Sequence, residues 1–474
     1  MQPALTPSTA SSQADTVTQQ SIGAEEKKEA AKAAVAEQTE WPDPPKWLPK
    51  ALHSLAYRNF FLLWVGQLTR ALALYMDMVA RPTLILTLTG SPVQLGLISL
   101  VRGVPMLLLA PIAGLMADRF DRRLLMLLPK VLISLINILF AVLVCTGEVQ
   151  VIHIYITAAL KSLIQVFDTP ARQALLPSLV PPRLLVNALA INSGTMQVVR
   201  IFSASLAGFS IAIWAAAFGF SLEDSRSFGG VYIMLAVIYV ICTLSTYYLQ
   251  VPEQGRVRPT RTSWIASLVE GFRFAGRTPV ILGILVLLGV QSLFGAPYTT
   301  VFVPWLSLEV MEIGPAGMGL LIGVSGIGSL LGAMFLATRG EKLYRRGLLV
   351  VGGLFCYGLA LAGLGLSSLL PVATVFGLLV PIVPMFMIMC VGLFQSSITT
   401  IKNSVLLEYT PNELRGRIYS IQSLDRSMNM LGSSTAGFVI MAIGGPAGLG
   451  LFGFMCAASA VVVGLALPAL RKVN

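Results

Sequence analysis

Ionisable side chains sit inside long apolar runs of this chain: Arg70, Arg81, Arg102, Lys161, Arg200 and Arg426 against Asp77, Asp168 and Asp425. At mid-bilayer each such group costs roughly 2.5–3.5 kcal/mol on insertion scales, so each calls for a partner or a wet cavity. Arranged at about 100° per residue they fall into stripes. Gln67, Arg70, Asp77 and Arg81 share one face, as do Lys161, Gln165, Asp168 and Arg172. Ser193, Gln197 and Arg200 align further on, and Gln422, Asp425, Arg426, Asn429 and Ser433 align near the C-terminus. Two kinds of chemistry follow. A cation-rich pocket suits an anionic or polyhydroxylated amphiphile, because arginine offers oxyanions a planar two-toothed fork. A desolvated carboxylate beside a cation can gain and lose a proton as that cation changes partners. Asp77 and Asp425 are the candidates by depth. The competing reading is internal pairing at i,i+4, Asp77 with Arg81 and Asp168 with Arg172.

The elements that must hold these residues are membrane spans. With 474 residues, 55% of them hydrophobic and 12% charged, and a mean hydropathy of +0.78, the chain is excluded from the water-soluble class. A spanning helix needs about 20 apolar residues. Such runs lie near 60–86, 93–116, 124–146, 153–176, 186–214, 229–250, 279–306, 316–338, 347–367, 371–402, 416–442 and 446–470, which predicts an all-α membrane protein with twelve transmembrane helices. The helices of spans 9 and 10 are expected to meet in a tight turn at Ser367–Pro371. The glycines of span 8 and the prolines Pro105, Pro111, Pro381 and Pro384 read as close-packing and bending positions.

Basic residues give the orientation. The turns after spans 2, 4, 8 and 10 carry Arg119, Arg122, Arg123, Arg183, Arg339, Lys342, Arg345, Arg346, Arg415 and Arg417, whereas the opposite turns carry little beyond Arg226. The positive-inside rule therefore predicts both termini in the cytoplasm of a plasma-membrane protein. The net charge of +11 is thus a topology signal and a lipid-headgroup contact, not a sign of nucleic-acid binding. Residues 1–52 read as a cytoplasmic, largely disordered tail without a cleavable signal, with Trp47, Leu48, Leu52 and Leu55 suited to a surface-lying helix at its end. Cys145, Cys242, Cys356, Cys390 and Cys456 fall inside apolar spans, and with His53 and His153 the only histidines, neither a metal site nor a cofactor is expected.

Two stretches repeat. Gly114-Leu-Met-Ala-Asp118-Arg119-Phe-Asp121-Arg122-Arg123 returns 223 positions later as Ala337-Thr-Arg-Gly-Glu341-Lys342-Leu-Tyr-Arg345-Arg346. At an offset of 230, Pro181, Leu184, Ile191 and Ser193 match Pro411, Leu414, Ile421 and Ser423. Together these predict two pseudo-symmetric six-helix bundles, 53–250 and 279–474, joined by a basic linker, 251–278, whose segment Trp264–Phe274 suits an interfacial helix.

The first charged turn resembles the loop 2–3 signature of the major facilitator superfamily, with Asp121 where a glycine is usual. Tyr57-Arg-Asn-Phe-Phe-Leu-Leu-Trp64-Val-Gly-Gln67, Leu88-Thr-Gly-Ser-Pro92, Pro170-Ala-Arg-Gln-Ala-Leu-Leu-Pro177 and Glu270-Gly-Phe-Arg273 resemble its bacterial secretion-effector branch, which includes enterobactin exporters and macrolide-efflux proteins. The resemblance implies the major facilitator fold, with spans 1, 4, 5 and 11 around a central cavity. Gln67, Arg70, Arg81, Lys161, Gln197, Arg200, Gln422, Arg426 and Asn429 then become cavity residues, and Asp77 and Asp425 proton-coupling residues. Gly114, Asp118, Arg119, Arg122, Arg123, Glu341 and Lys342 become a cytoplasmic gate, Asp118 facing the start of span 11 near Gly416 and Arg417, and Glu341 facing Arg183. One departure stands out: Val199-Arg200-Ile-Phe202-Ser203-Ala204 keeps an arginine but lacks the Gly-Pro pair common in exporters. Proton antiport is therefore not argued from that motif.

The expected function is secondary active transport by alternating access, with proton-coupled efflux of a small amphiphile such as a siderophore or macrolide, by a monomer. An importer of a small organic solute is the alternative within the fold. An intramembrane enzyme is the alternative outside it, and it lacks a nucleophile or metal constellation.

Overall fold

The computed structural model describes residues 41–471 apart from 43, 46, 120–121, 251–272, 340–344, 376–377, 412–417 and 419–424. In chain order the long helices are α1 (Arg58–Thr89), α2 (Pro92–Arg119), α3 (Arg122–Thr146), α4 (Val151–Leu175), α5 (Leu185–Phe218) and α6 (Gly229–Tyr247). Then come α7 (Pro279–Val310), α8 (Gly314–Arg339), α9 (Arg346–Ser367), α10 (Ile382–Tyr409), α11 (Asp425–Ile443) and α12 (Gly445–Ala466). Among the described residues, ten helices are long and apolar enough to cross a membrane, and α11 adds a shorter apolar stretch, Ser427–Ile443. Outward-facing apolar side chains such as Leu139, Ile213, Met441 and Leu465, each at least 64% exposed, require an apolar solvent around the molecule.

Within the first half of the chain α1 packs on α5 and α6, α2 on α4, and α3 on α4 and α6. Within the second half α9 packs on α10 and α12, and α8 on α10. The two most extensive crossings between the halves are α2 on α11 and α5 on α8. Both depend on backbone-to-backbone contact. A Cβ added at Gly208 of α5 would stand 2.2 Å from the Pro315 carbonyl oxygen of α8, and one at Gly96 of α2 would stand 2.8 Å from that of Ser433 on α11. These approaches lie toward the turns at 90–91, 219–224, 311–313 and 444, the ends poor in basic residues.

Three boundaries differ from the sequence reading. The tight turn expected after span 9 is a longer connection with a small antiparallel hairpin, Ala373–Val375 paired to Leu378–Val380, so α10 starts at Ile382. A continuous apolar run with no helical periodicity does not distinguish strand from helix. α7 is not uniformly α-helical: π-turns occupy Gln291–Gly295, Tyr298–Phe302 and Leu306–Val310, around Pro297 and Pro304, which lack backbone N–H donors. Finally, the expected surface-lying helix is a 3-10 segment, Lys50–Ala56, docked on protein. Ser54 donates from its backbone N to Asn187 Oδ1 at 3.2 Å and from Oγ to the Leu184 carbonyl at 3.3 Å. Tyr57 beside it is buried and stands edge-on to Trp41 at 5.4 Å. The expected interfacial helix, mostly within 251–272, lies outside the described residues, as does the tail over 1–40.

Candidate functional site

The charge network begins on α1. Asp77 is one helical turn before Arg81, which places both side chains on one face. Arg81 donates from Nε and Nη2 to the two Asp77 carboxylate oxygens, both at 2.9 Å. Its remaining nitrogen, Nη1, donates to Thr157 Oγ1 at 3.3 Å and to the Ile154 carbonyl at 3.4 Å on α4. The guanidinium also lies 5.6 Å from the centre of the Phe140 ring. Only 1% of Arg81 is exposed, so this cation is held entirely by protein. Lys161 of α4 stands 4.0 Å from Asp77 Oδ1.

Asp77, Arg81, Lys161 and Gln165 open onto a cavity of about 280 Å3. Arg102 and Ser99 of α2, Asn137 of α3, Tyr239 of α6, Thr300 of α7 and Asn429 of α11 also line it. Three cations thus share the chamber with one carboxylate. At its α11 wall, Asn429 Oδ1 accepts from Ser433 Oγ at 3.1 Å, and Ser433 in turn shares a hydrogen bond with Thr300 at 2.9 Å.

The other expected cavity residues are arranged differently. Arg70 donates from Nε to Gln67 Oε1 at 3.3 Å, and Gln67, buried, points its Nε2 at Met196 Sδ at 3.1 Å. Arg200 reaches across the halves. Its Nη2 donates to Ser325 Oγ at 3.0 Å, Tyr298 OH at 3.2 Å and Gln395 Oε1 at 3.4 Å, and its Nη1 to Ser329 Oγ at 3.3 Å. Every one of these partners is neutral. Gln67, Arg70, Gln197 and Arg200 are not among the residues lining this cavity. Arg200's fork instead finds four oxygens on α7, α8 and α10.

Two buried lysines were missed in the sequence. Lys130 of α3 donates to Thr246 Oγ1 at 2.6 Å and stands 3.7 Å from Asp168 Oδ1. Arg172 Nε is 3.7 Å from the other Asp168 oxygen, so the expected i,i+4 pair is a three-member cluster. Lys402 of α10 donates to Gln291 Oε1 at 2.5 Å and feels the charge of Asp425 on α11. Each lysine is the one charged residue within an otherwise uncharged stretch of its helix, 124–146 for Lys130 and 382–407 for Lys402, and that isolation is the signal that could have singled it out.

Several expected residues escape description. Glu341, Lys342 and Gln422 lie outside the described residues, and so do the side chains of Gly114, Asp118, Arg119, Arg122, Arg123 and Arg426, whose backbones belong to α2, α3 and α11. The contacts expected of Asp118 with Gly416 and Arg417, and of Glu341 with Arg183, fall there too.

Many apolar helices packed around a cation-rich cavity are the architecture of a multi-pass membrane transporter. The Major Facilitator Superfamily model matches residues 63–424, and the chain belongs to that superfamily. It is 22% identical over 378 residues to macrolide efflux protein A of Streptococcus pyogenes, covering 78% of this chain and 86% of that protein. It is 27% identical over 345 residues to enterobactin exporter EntS of Salmonella choleraesuis, covering 72% and 75%. Its fold is similar to that of a bacterial homolog of the human lysosomal transporter Spinster, solved inward-facing and unoccupied, with a TM-score of 0.61, 15% identity, and coverage of 88% of this chain and 95% of that one.

Proposed function

We propose that the protein is a proton-coupled exporter of a small amphiphilic compound such as a siderophore or macrolide, working as a monomer by alternating access. Twelve spanning helices would form two six-helix bundles, 53–250 and 279–474, tied by the cytoplasmic linker 251–278, with both termini in the cytoplasm of a plasma-membrane protein. The observation that carries the reading is the clasp of Asp77 by Arg81, with Lys161 and Arg102 facing the same cavity. Substrate and proton compete for the Asp77 carboxylate: a proton arriving from outside displaces the substrate group seated there, and loss of that proton to the cytoplasm re-forms the clasp with Arg81; Asp425, sensed by Lys402, would serve the second half in the same way.

The close crossings of α2 on α11 and α5 on α8, at the ends poor in basic residues, support an outward-closed, inward-facing state. The charged turns around Asp118, Arg119, Arg122, Arg123, Glu341 and Lys342 would close the opposite side. Everted membrane vesicles with an acid lumen test the reading: a siderophore or macrolide should accumulate inside them, and Asp77→Asn should uncouple that accumulation from the gradient. Loss of preloaded compound under the same gradient would identify an importer instead.

A further inference from the structure

Asn137 is a polar residue with nothing to hold. It sits on α3 with 0% exposure, and neither its Oδ1 nor its Nδ2 has a hydrogen-bond partner among the described residues. Leaving a buried amide unmatched is costly, so such a residue is expected to serve a ligand or an ordered water. Asn137 lines the cavity, together with Arg102 of α2. Arg102 is the cation there whose guanidinium makes no hydrogen bond and no ion pair among the described residues, because Asp77 is already clasped by Arg81 on both oxygens; its backbone carbonyl accepts from Ser162 Oγ. Met78, Ile133, Leu235 and Met430 also line the cavity and give it apolar surface.

These groups specify a ligand. Arg102 supplies only donors, in a planar fork suited to an oxyanion. Asn137 supplies one donor edge and one acceptor, so it is matched by an oxyanion with a hydroxyl next to it. A cavity of about 280 Å3 is near the small end of the roughly 300–1,000 Å3 typical of small-molecule sites, so it takes the head of a ligand and not a large compound whole. We propose that Arg102 and Asn137 form the seat for a 2-hydroxycarboxylate head, with the apolar surface against the rest of the molecule. This rests on the transport reading only in taking the cavity as the substrate site.

The test is calorimetric titration of the purified full-length protein in lipid nanodiscs with mandelate, with phenylacetate, which lacks the hydroxyl, and with methyl mandelate, which lacks the charge. Mandelate should bind roughly five- to tenfold more tightly than phenylacetate, and methyl mandelate at least tenfold more weakly than mandelate. Arg102→Gln should weaken both acids about tenfold or more. Asn137→Leu should make the two acids equal, and it should melt no lower than the unaltered protein, because it deletes two unpaired polar atoms. The Asn137→Leu arm carries the test alone if Arg102→Gln does not fold. Equal binding of the two acids by the unaltered protein, binding of neither, or discrimination surviving Asn137→Leu would overturn the seat. No gradient is present in this measurement, so the seat can stand while proton-coupled export fails, and export can stand while the seat fails.

Discussion

Arg200 on α5 donates to the Tyr298 hydroxyl on α7 at 3.2 Å, and Tyr298 itself shares a hydrogen bond with Ser325 on α8 at 3.0 Å. With Gln395 of α10 also accepting from it, one side chain from the first half of the chain is tied to three helices of the second. Arg200→Gln removes the fork and Arg200→Lys replaces it by a point charge, so neither reproduces the four neutral contacts. Both should lower transport by about tenfold or more while the protein remains monodisperse. Transport by Arg200→Lys at the parental rate would show that charge alone suffices.

Asp77 carries a structural load as well as its proposed proton. Asp77→Asn leaves Arg81 buried without its counter-charge, a loss of about 3–5 kcal/mol by analogy with broken buried pairs. The double change Asp77→Leu with Arg81→Met removes both charges and should recover most of that stability while abolishing transport. Thermal unfolding of the three proteins in one detergent checks the order. A proton-driven rate unchanged in both Asp77→Asn and Asp425→Asn would remove these carboxylates from coupling.

The cluster of Lys130, Asp168 and Arg172 differs in kind. Both Asp168 oxygens are buried and lack hydrogen bonds, and the two cations stand at 3.7 Å. Deleting Lys130 leaves Asp168 with one loose partner, whereas deleting the Thr246 hydroxyl costs Lys130 a single hydrogen bond. Lys130→Met should therefore destabilise by about 3–5 kcal/mol and Thr246→Val by about 1–3 kcal/mol. Equal melting points for the two variants would contradict this order.

Closure of α5 on α8 depends on Gly208, where a methyl group would collide with the Pro315 carbonyl. Gly208→Ala should hold these helix ends apart, lower transport, and raise labelling of a cysteine placed at Thr300 by an impermeant reagent added from outside. Unchanged labelling would mean that the crossing opens without this contact.

The helices and much of the charge network were legible because both are local. Apolar runs set the spans, and the one-turn spacing of Asp77 and Arg81 offered their bond as the competing reading, which is the one the structure shows. What was hidden depends on contacts between distant segments. Lys130 and Lys402 have no acidic residue at helical spacing on their own helices, and their partners Thr246 and Gln291 are more than 100 positions away. The oxygens around Arg200 come from three helices, none of which marks them as a set. The hairpin at 373–380 was hidden for another reason, since its Val- and Leu-rich run reads equally well as either structure.

The central claim is that one cation-rich cavity is emptied outward as protons move in. Its most direct measurement is accumulation of a labelled anionic amphiphile in everted vesicles as the lumen is made acid, with the unaltered protein and Asp77→Asn side by side. The account predicts accumulation that rises with the gradient in the first and disappears in the second. Accumulation that is indifferent to the gradient, or equal in both, would contradict it.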